Sequence, residues 1–374
     1  MASDSVPARG RLAGLDGLRG LAALYVVVNH IFERTFPGYP VDRAPWWAGW
    51  FIYGRFAVVV FIVLSGFSLA LSPAGHGWRL DGLRRFARRR ARRILPAYFA
   101  ALAFSLAVAW LVVPQPGQGE PGARSVLVNG LLVQNLVRAS SPNRAFWTMA
   151  VEAQLYVALP LLLLLVRRVG AVAMVATVTL AVAAVDIASP HDARLHTFVI
   201  QSAPDLAALF AIGILAAGVA RAGVARAGRP WAWFALAAAA PVFATIGLQG
   251  SVWTLTHLVW VDLALGPAIA CLLIGVATGA AAPVVRVLDS RPVRNLGLSS
   301  YSLYLIHEPI VVAVYARFVL PRYHHGVTAF FVMVALVVPA TIVLARLFAS
   351  VFERPFLRQP ARAGAAAPAS ANAA

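Results

Sequence analysis

Lysine is absent from this 374-residue chain, cysteine occurs once, and charged side chains make up only 12% of it. Each scarcity removes a class. About a quarter of the residues of an ordinary soluble domain are charged, so 60% hydrophobic residues and a mean hydropathy of +0.77 put this chain in a membrane. The lone Cys271 excludes a disulfide framework, a CxxC metal site and a thiol pair; it stands in an apolar run as a small packing residue. Acids are few, 14 against 32 basic residues that are all arginine, which leaves a net charge of +18. No internal repeat emerges, and the only low-complexity segment is the Ala/Pro/Ser tail from 361 to 374, expected to be disordered. A Gly-rich phosphate loop, a Gly-x-Ser-x-Gly elbow and an Asp-x-Asp motif are all missing. That argues against a nucleotide hydrolase, a serine hydrolase and a metal-dependent glycosyltransferase.

What is present is a series of ten apolar runs, each near the roughly 20 residues that a helical span needs. They cover about 12–32, 50–72, 94–113, 146–166, 170–189, 198–218, 231–249, 253–278, 299–320 and 327–350. The expected fold is all-α and polytopic, with about ten transmembrane helices. The first run is not a cleavable signal, because Asn29, His30 and Glu33 follow it rather than a small-residue cleavage site. Arginine sets the orientation. With a cytoplasmic N-terminus, 21 arginines fall in inner segments and eight in outer ones, while Arg19, Arg55 and Arg346 lie within spans. Both termini are therefore expected in the cytoplasm, and the +18 charge reads as membrane topology rather than nucleic-acid binding. The expected organisation is a short cytoplasmic segment at 1–11, one membrane domain at 12–358 and the tail at 359–374.

Several groups in these runs need a reason to be there, since an ionisable side chain at membrane depth is costly unless it is paired or lines a wet cavity. In the first run, Asp16, Arg19 and His30 share a helix face, with Arg19 and His30 about 16 Å apart along the axis. Asp16 and Arg19 can pair at i,i+3, and Glu33 is the i+3 neighbour of His30. The stretch Trp78 to Tyr98 carries eight arginines and reads as a helix on the inner surface running into the third span, with Pro96 reorganising the backbone at the entry. Clustered arginine binds anionic lipid headgroups. Arg90 and Arg93, at the mouth of the span, also suit a phosphorylated ligand, because guanidiniums bind phosphate bidentately. Glu152 lies in the fourth run with Tyr156 at i+4, and is expected to take an arginine partner such as Arg19 or Arg93. Tyr304 and His307 share a face of the ninth run, where interfacial-belt roles are the ordinary reading. The segment 126–137 suggests a short interfacial or re-entrant helix on the outer side.

Taken in order, these segments resemble the acyltransferase 3 family of membrane O-acyltransferases, which includes O-antigen acetylases and macrolide acylases. Leu15 to His30 is similar to the family's first-span signature, and Ser65-Gly66-Phe67 to its second-span element. Arg90-Ala-Arg-Arg93 resembles its RxxR motif. Trp147 to Tyr156, Tyr301 to Pro309 and Glu353-Arg-Pro355 correspond to its later segments, so the resemblance covers about residues 10–358. Glu308 stands where relatives often carry an aromatic.

The resemblance implies transfer of an acyl group, usually acetyl, from an acyl-CoA co-substrate to a hydroxyl of a glycan or glycoside, in the bacterial cytoplasmic membrane and without a metal. Under that reading His30 is the general base, with Glu33 orienting its ring and Glu152 fixing an arginine or the acceptor. Arg19, Arg90 and Arg93 hold the phosphates of coenzyme A, whose pantetheine arm runs along the first span toward His30. Tyr156, Tyr304 and His307 contact substrate. The competing class is a secondary transporter of a small polar or glycosidic solute, which would also bury Arg, Glu and His; no paired inverted repeat of broken helices supports it.

Overall fold

The apolar runs fold as helices because a backbone in lipid has no water to bond and must satisfy its own donors and acceptors. A computed structural model describes residues 12–222 and 230–357. The segment expected at 1–11, the tail at 359–374 and the loop bearing Arg226 and Arg229 lie outside the described residues. Sixteen α-helices follow one another without a strand among the described residues. They are α1 (Leu15–Thr35), α2 (Arg55–Ala74), α3 (Leu83–Leu111), α4 (Ala123–Gly130), α5 (Trp147–Val169), α6 (Ala171–Ala188), α7 (Ala193–Ser202) and α8 (Asp205–Arg221). After these come α9 (Trp231–Thr256), α10 (Leu258–Ala277), α11 (Ala282–Leu288), α12 (Arg291–Gly297), α13 (Ser300–Val314), α14 (Leu320–Tyr323), α15 (Val327–Phe352) and α16 (Arg354–Leu357). Among the described residues nine helices, some with their flanking turns, are long and apolar enough to span a membrane, and α7 with α8 forms a tenth as a pair bent by 45°. The chain is a polytopic helical membrane protein.

The bend has a local cause. Pro204 disfavours helix at the residue before it, and Ala203 sits at φ 48° in the left-handed region. The restart places Asp205, fully buried, at the first position of α8. Pro96, by contrast, does not interrupt its helix: α3 runs unbroken from the arginine cluster to Leu111. The short helix expected at 126–137 forms earlier, as α4 at Ala123–Gly130, with turns in its place from 131 on; it is pinned by Tyr98, whose hydroxyl donates to the Asn129 carbonyl at 2.7 Å.

Two clusters of buried side chains hold the bundle. One joins α2, α5, α8 and α10 through residues such as Phe67, Leu159, Phe210 and Leu273. The other joins α1, α3, α13 and α15 through Phe32, Tyr98, Leu305 and Met333. α6 and α9 are apolar all round yet bury few residues within the protein, which suits a lipid-facing periphery. α2 crosses α8 at backbone contact. A Cβ on Gly66 would collide with the Phe210 carbonyl oxygen, and one on Gly213 with the Val63 carbonyl oxygen. Small residues let the two backbones touch, as in close-packed membrane helix pairs. Gly66→Val is expected to lower the monodisperse fraction in fluorescence-detected size exclusion by half or more, because neither backbone can retreat without opening the core.

The arginine-rich ends assemble on one side. Arg221 donates from Nε to the Leu71 carbonyl at 3.1 Å, Arg79 and Arg167 share a groove with Trp78, and Ser302 donates to Glu353 at 2.7 Å. α12 packs so closely on the start of α1 that a Cβ on Gly297 would meet the Asp16 carbonyl. His30, at the other end of α1, lies with the long 36–54 and 112–146 connections.

Candidate active site

At the arginine-rich end, α1, α2, α3, α5 and α13 surround a cavity of about 450 Å3. Arg19, Arg90 and Arg93 line it, and so do Ser65, Glu152, Tyr156, Tyr301, Tyr304 and Glu353. Helix geometry explains the convergence: Arg90 and Arg93 are i,i+3 on α3 and Glu152 and Tyr156 are i,i+4 on α5, so each pair presents one face. Arg19 reaches Asp16 at 3.1 Å and the Ser68 hydroxyl at 3.0 Å. The Nε of Arg90 is buried without a partner. Glu152 departs from expectation. Its carboxylate takes hydrogen bonds from the Tyr156 hydroxyl and, at 3.4 Å, from Ser65, and no arginine lies within ion-pair distance among the described residues. The two hydroxyls supply the hydrogen bonds that a guanidinium would have given.

His30 is not on that wall. Its Nδ1 sits 3.3 Å from a Glu33 oxygen and 3.3 Å from a Glu308 oxygen. Glu308 is fully buried and accepts from Arg34 at 2.8 Å, while Arg144 stands 3.9 Å from Glu33. Ionised carboxylates only accept, so Nδ1 carries a proton and donates to Glu33, with the Glu308 oxygen facing it as a counter-charge and not as a second hydrogen-bond partner. The His307 ring lies 5.2 Å from the His30 ring. Its Nδ1 donates to the Tyr304 carbonyl at 2.7 Å, and its Nε2 is buried without a partner. Tyr304 and His307 are thus interior groups, not members of an interfacial belt: both are buried because α13 runs through the core between α1, α3 and α15. Tyr304 joins the two regions. It lines the inner cavity, exchanges a hydrogen bond with Thr148 at 2.7 Å, and its ring lies 5.6 Å from that of His307.

His30, His307 and Glu308 bring possible ligand atoms within 4.8 Å of one another, a donor set that a metal could use. The Arg34 guanidinium already compensates Glu308, the one carboxylate of this cluster, and its charge opposes a divalent cation. Asn29, beside His30 in sequence, points elsewhere; its amide donates to the Phe51 and Ile52 carbonyls at 2.7 and 3.2 Å and fixes α1 against the segment leading to α2.

The family model for the acyltransferase domain matches residues 12–346. The chain belongs to the acyltransferase 3 family. The O-acetyltransferase OatA of Staphylococcus aureus (strain NCTC 8325 / PS 47) is 27% identical over 164 residues, a stretch covering 41% of this chain and 24% of OatA. The acyltransferase MdmB of Streptomyces mycarofaciens is 30% identical over 165 residues, 42% of this chain and 41% of MdmB. The chain therefore spans about a quarter of the length of the first relative and well under half of the second. No solved structure matches it. Within this acyltransferase 3 chain, the residues expected to act together fall into two groups: Arg19, Arg90, Arg93, Glu152, Tyr156 and Tyr304 around the cavity, and His30, Glu33 and His307 at the far end of α1.

Sequence reasoning assigned no role to Glu308, Arg34 and Arg144. A signal existed: Arg34 is the i+4 neighbour of His30, and Glu308 adjoins His307. It also passed over a buried triad, in which Arg55 donates to Asp205 at 2.7 Å and to Asp262. All three stand within apolar runs, where the rule about intramembrane charge applied to them as much as to Arg19.

Proposed function

We propose that this chain is a membrane O-acyltransferase that moves an acyl group, acetyl by preference, from acyl-CoA on the arginine-rich side to a hydroxyl of a glycan or glycoside. The observation that carries this reading is the arrangement along α1, with three guanidiniums around a cavity at one end and a histidine held between two carboxylates at the other. About 16 Å of helix separates Arg19 from His30, a span that suits a phosphate at one end and a thioester at the other. Positive-inside bias puts the arginine-rich face in the cytoplasm, where acyl-CoA is made.

Chemically, His30 Nε2 takes the proton of the acceptor hydroxyl as its oxygen attacks the thioester carbonyl. The carbon–sulfur bond then breaks, the ester forms, and the imidazolium returns its proton to the departing thiolate. Glu33 orients the ring through Nδ1, and the charges of Glu33 and Glu308 together stabilise the imidazolium, as the acid of a catalytic triad does. Arg90 and Arg93 grip the coenzyme phosphates, with Arg19 deeper on α1. Tyr156 and Tyr304 line the path of the acyl chain, and Glu152, held by Tyr156 and Ser65, shapes its wall.

The test is release of free coenzyme A from acetyl-CoA by the purified chain, stimulated by a saccharide acceptor. Solute uptake into vesicles without coenzyme A release would favour the transporter instead. For the donor site, Arg93→Ala is expected to weaken coenzyme A binding about tenfold in isothermal titration, the loss of one charge-assisted phosphate contact. Unchanged affinity would remove Arg93 from the donor site.

A further inference from the structure

α13 carries a proline directly after His307 and Glu308. Pro309 has no N–H, so the Leu305 carbonyl, one turn back, loses the donor that would have closed its turn of helix. Leu305 is fully buried, and a buried carbonyl without a partner is costly. The missing donor comes from a distant part of the chain. Asn143, itself fully buried, gives one Nδ2 hydrogen to the Leu305 carbonyl at 2.8 Å.

The rest of the amide is committed as well. The other Nδ2 hydrogen goes to the Ser105 hydroxyl on α3 at 3.2 Å, and that hydroxyl donates its own proton to the Ala101 carbonyl. Oδ1 accepts from the Ala145 N–H at 3.0 Å and caps the turn Arg144–Phe146 that leads into α5. A carbonyl only accepts and an N–H only donates, so these partners fix which way the amide points. One side chain thereby ties α3, α13 and the entry to α5 together. The Tyr304 hydroxyl reinforces the tie by donating to the Ala145 carbonyl at 3.2 Å.

Both segments that Asn143 joins continue into the surroundings of His30. Just beyond Leu305, α13 presents Glu308, whose carboxylate lies 3.3 Å from His30 Nδ1. Next to Asn143 in the chain, Arg144 stands 3.9 Å from Glu33, the hydrogen-bond acceptor of that same nitrogen. Among the described residues Asn143 hydrogen-bonds to Leu305, Ser105 and Ala145 and not to His30, Glu33 or Glu308. Its influence on the ring therefore passes through α13 and the turn.

We propose that Asn143 is a positioning residue for His30: its amide takes up the carbonyl that Pro309 leaves open, fixes the Arg144 turn against α13, and so sets Glu308 and Glu33 around the ring. The proposal rests on the acyl-transfer reading only in calling His30 the base; the placement of the ring does not depend on it.

The test uses the purified full chain in nanodiscs, isotope-labelled at the histidine nitrogens and observed by solid-state NMR, with the His30 signals identified by their loss in His30→Ala. Asn143→Ser keeps an oxygen to cap the turn and loses both amide hydrogens. Its His30 signals are expected to shift or split, while those of the exposed His76, beside the arginine-rich α3, stay in place. With acetyl-CoA and saccharide, kcat should fall about 10- to 100-fold, the scale of a misplaced reacting group. KM for acetyl-CoA should change by less than about twofold, because the arginines of the inner cavity are untouched.

Adding Pro309→Ala supplies the missing N–H at position 309. The Asn143→Ser, Pro309→Ala double variant should regain the native melting temperature but not the native His30 signals, because no amide ties the turn to Leu305. Pro309→Ala alone should keep both, since the carbonyl can accept from two donors. Native His30 signals in Asn143→Ser, their return together with stability in the double variant, or displaced signals in Pro309→Ala alone each overturn the proposal. The double variant also keeps the test open if Asn143→Ser by itself does not fold. Asn143-dependent His30 signals in a chain that never releases coenzyme A leave the positioning role standing and remove the acyltransferase reading. Coenzyme A release with His30 signals indifferent to Asn143 does the reverse.

Discussion

His30→Ala is expected to lower acyl transfer by roughly 100- to 10,000-fold, the usual contribution of a positioned general base, while the protein still inserts and purifies as the native chain does. The second half of that expectation follows from the geometry. Removing the imidazole leaves Glu33 with Arg144 at 3.9 Å and Glu308 with Arg34 at 2.8 Å, so neither carboxylate is stranded without a counter-charge. A loss of activity in this variant therefore reports on the proton transfer and not on folding. Coenzyme A affinity should be unchanged, because the arginines around the inner cavity do not touch His30. Full activity in His30→Ala would remove this residue from the mechanism. Acyl transfer assayed with acetyl-CoA and saccharide, alongside size exclusion, distinguishes these results.

Arg55→Leu should have the largest effect on stability. Asp205 and Asp262 are both fully buried, and Arg55 is the only cation within ion-pair distance of either among the described residues. Breaking a buried ion pair by removing one partner typically costs about 3–5 kcal/mol, because the remaining charge is left desolvated. The expected result is a large fall in melting temperature and in the monodisperse fraction. Replacing all three residues together, as Arg55→Leu with Asp205→Asn and Asp262→Asn, removes the stranded charges and should recover most of the loss. If the single and triple variants are equally unstable, the defect lies in lost packing of the long side chain against Trp147 rather than in charge.

The first-span face, the paired arginines of α3 and the acids and tyrosines of α5 and α13 were legible because helical periodicity dictates which residues share a face. The partnership of His30 with Glu33 is of this kind, an i+3 spacing that the structure closes to 3.3 Å. The partner of Glu152 was not legible as an arginine, since its i+4 tyrosine and a serine from α2 reached it first. Likewise the position of α13 decides whether Tyr304 and His307 face lipid or protein, and two of the three helices around it, α1 and α3, come from the other end of the chain.

By itself the sequence determined that this is a helical membrane protein, where its spans lie, which ends gather arginine and which motifs tie it to the acyltransferase 3 family. Those properties depend on composition, on runs of about 20 apolar residues and on a period of 3.6, all written along the chain. Only the tertiary structure decided that Glu308 stands beside His30 and that Arg55 is clamped by aspartates 150 and 207 residues away. Such contacts are set by which helices pack together, and in a bundle whose surfaces are apolar nearly everywhere, local pattern carries little information about that choice.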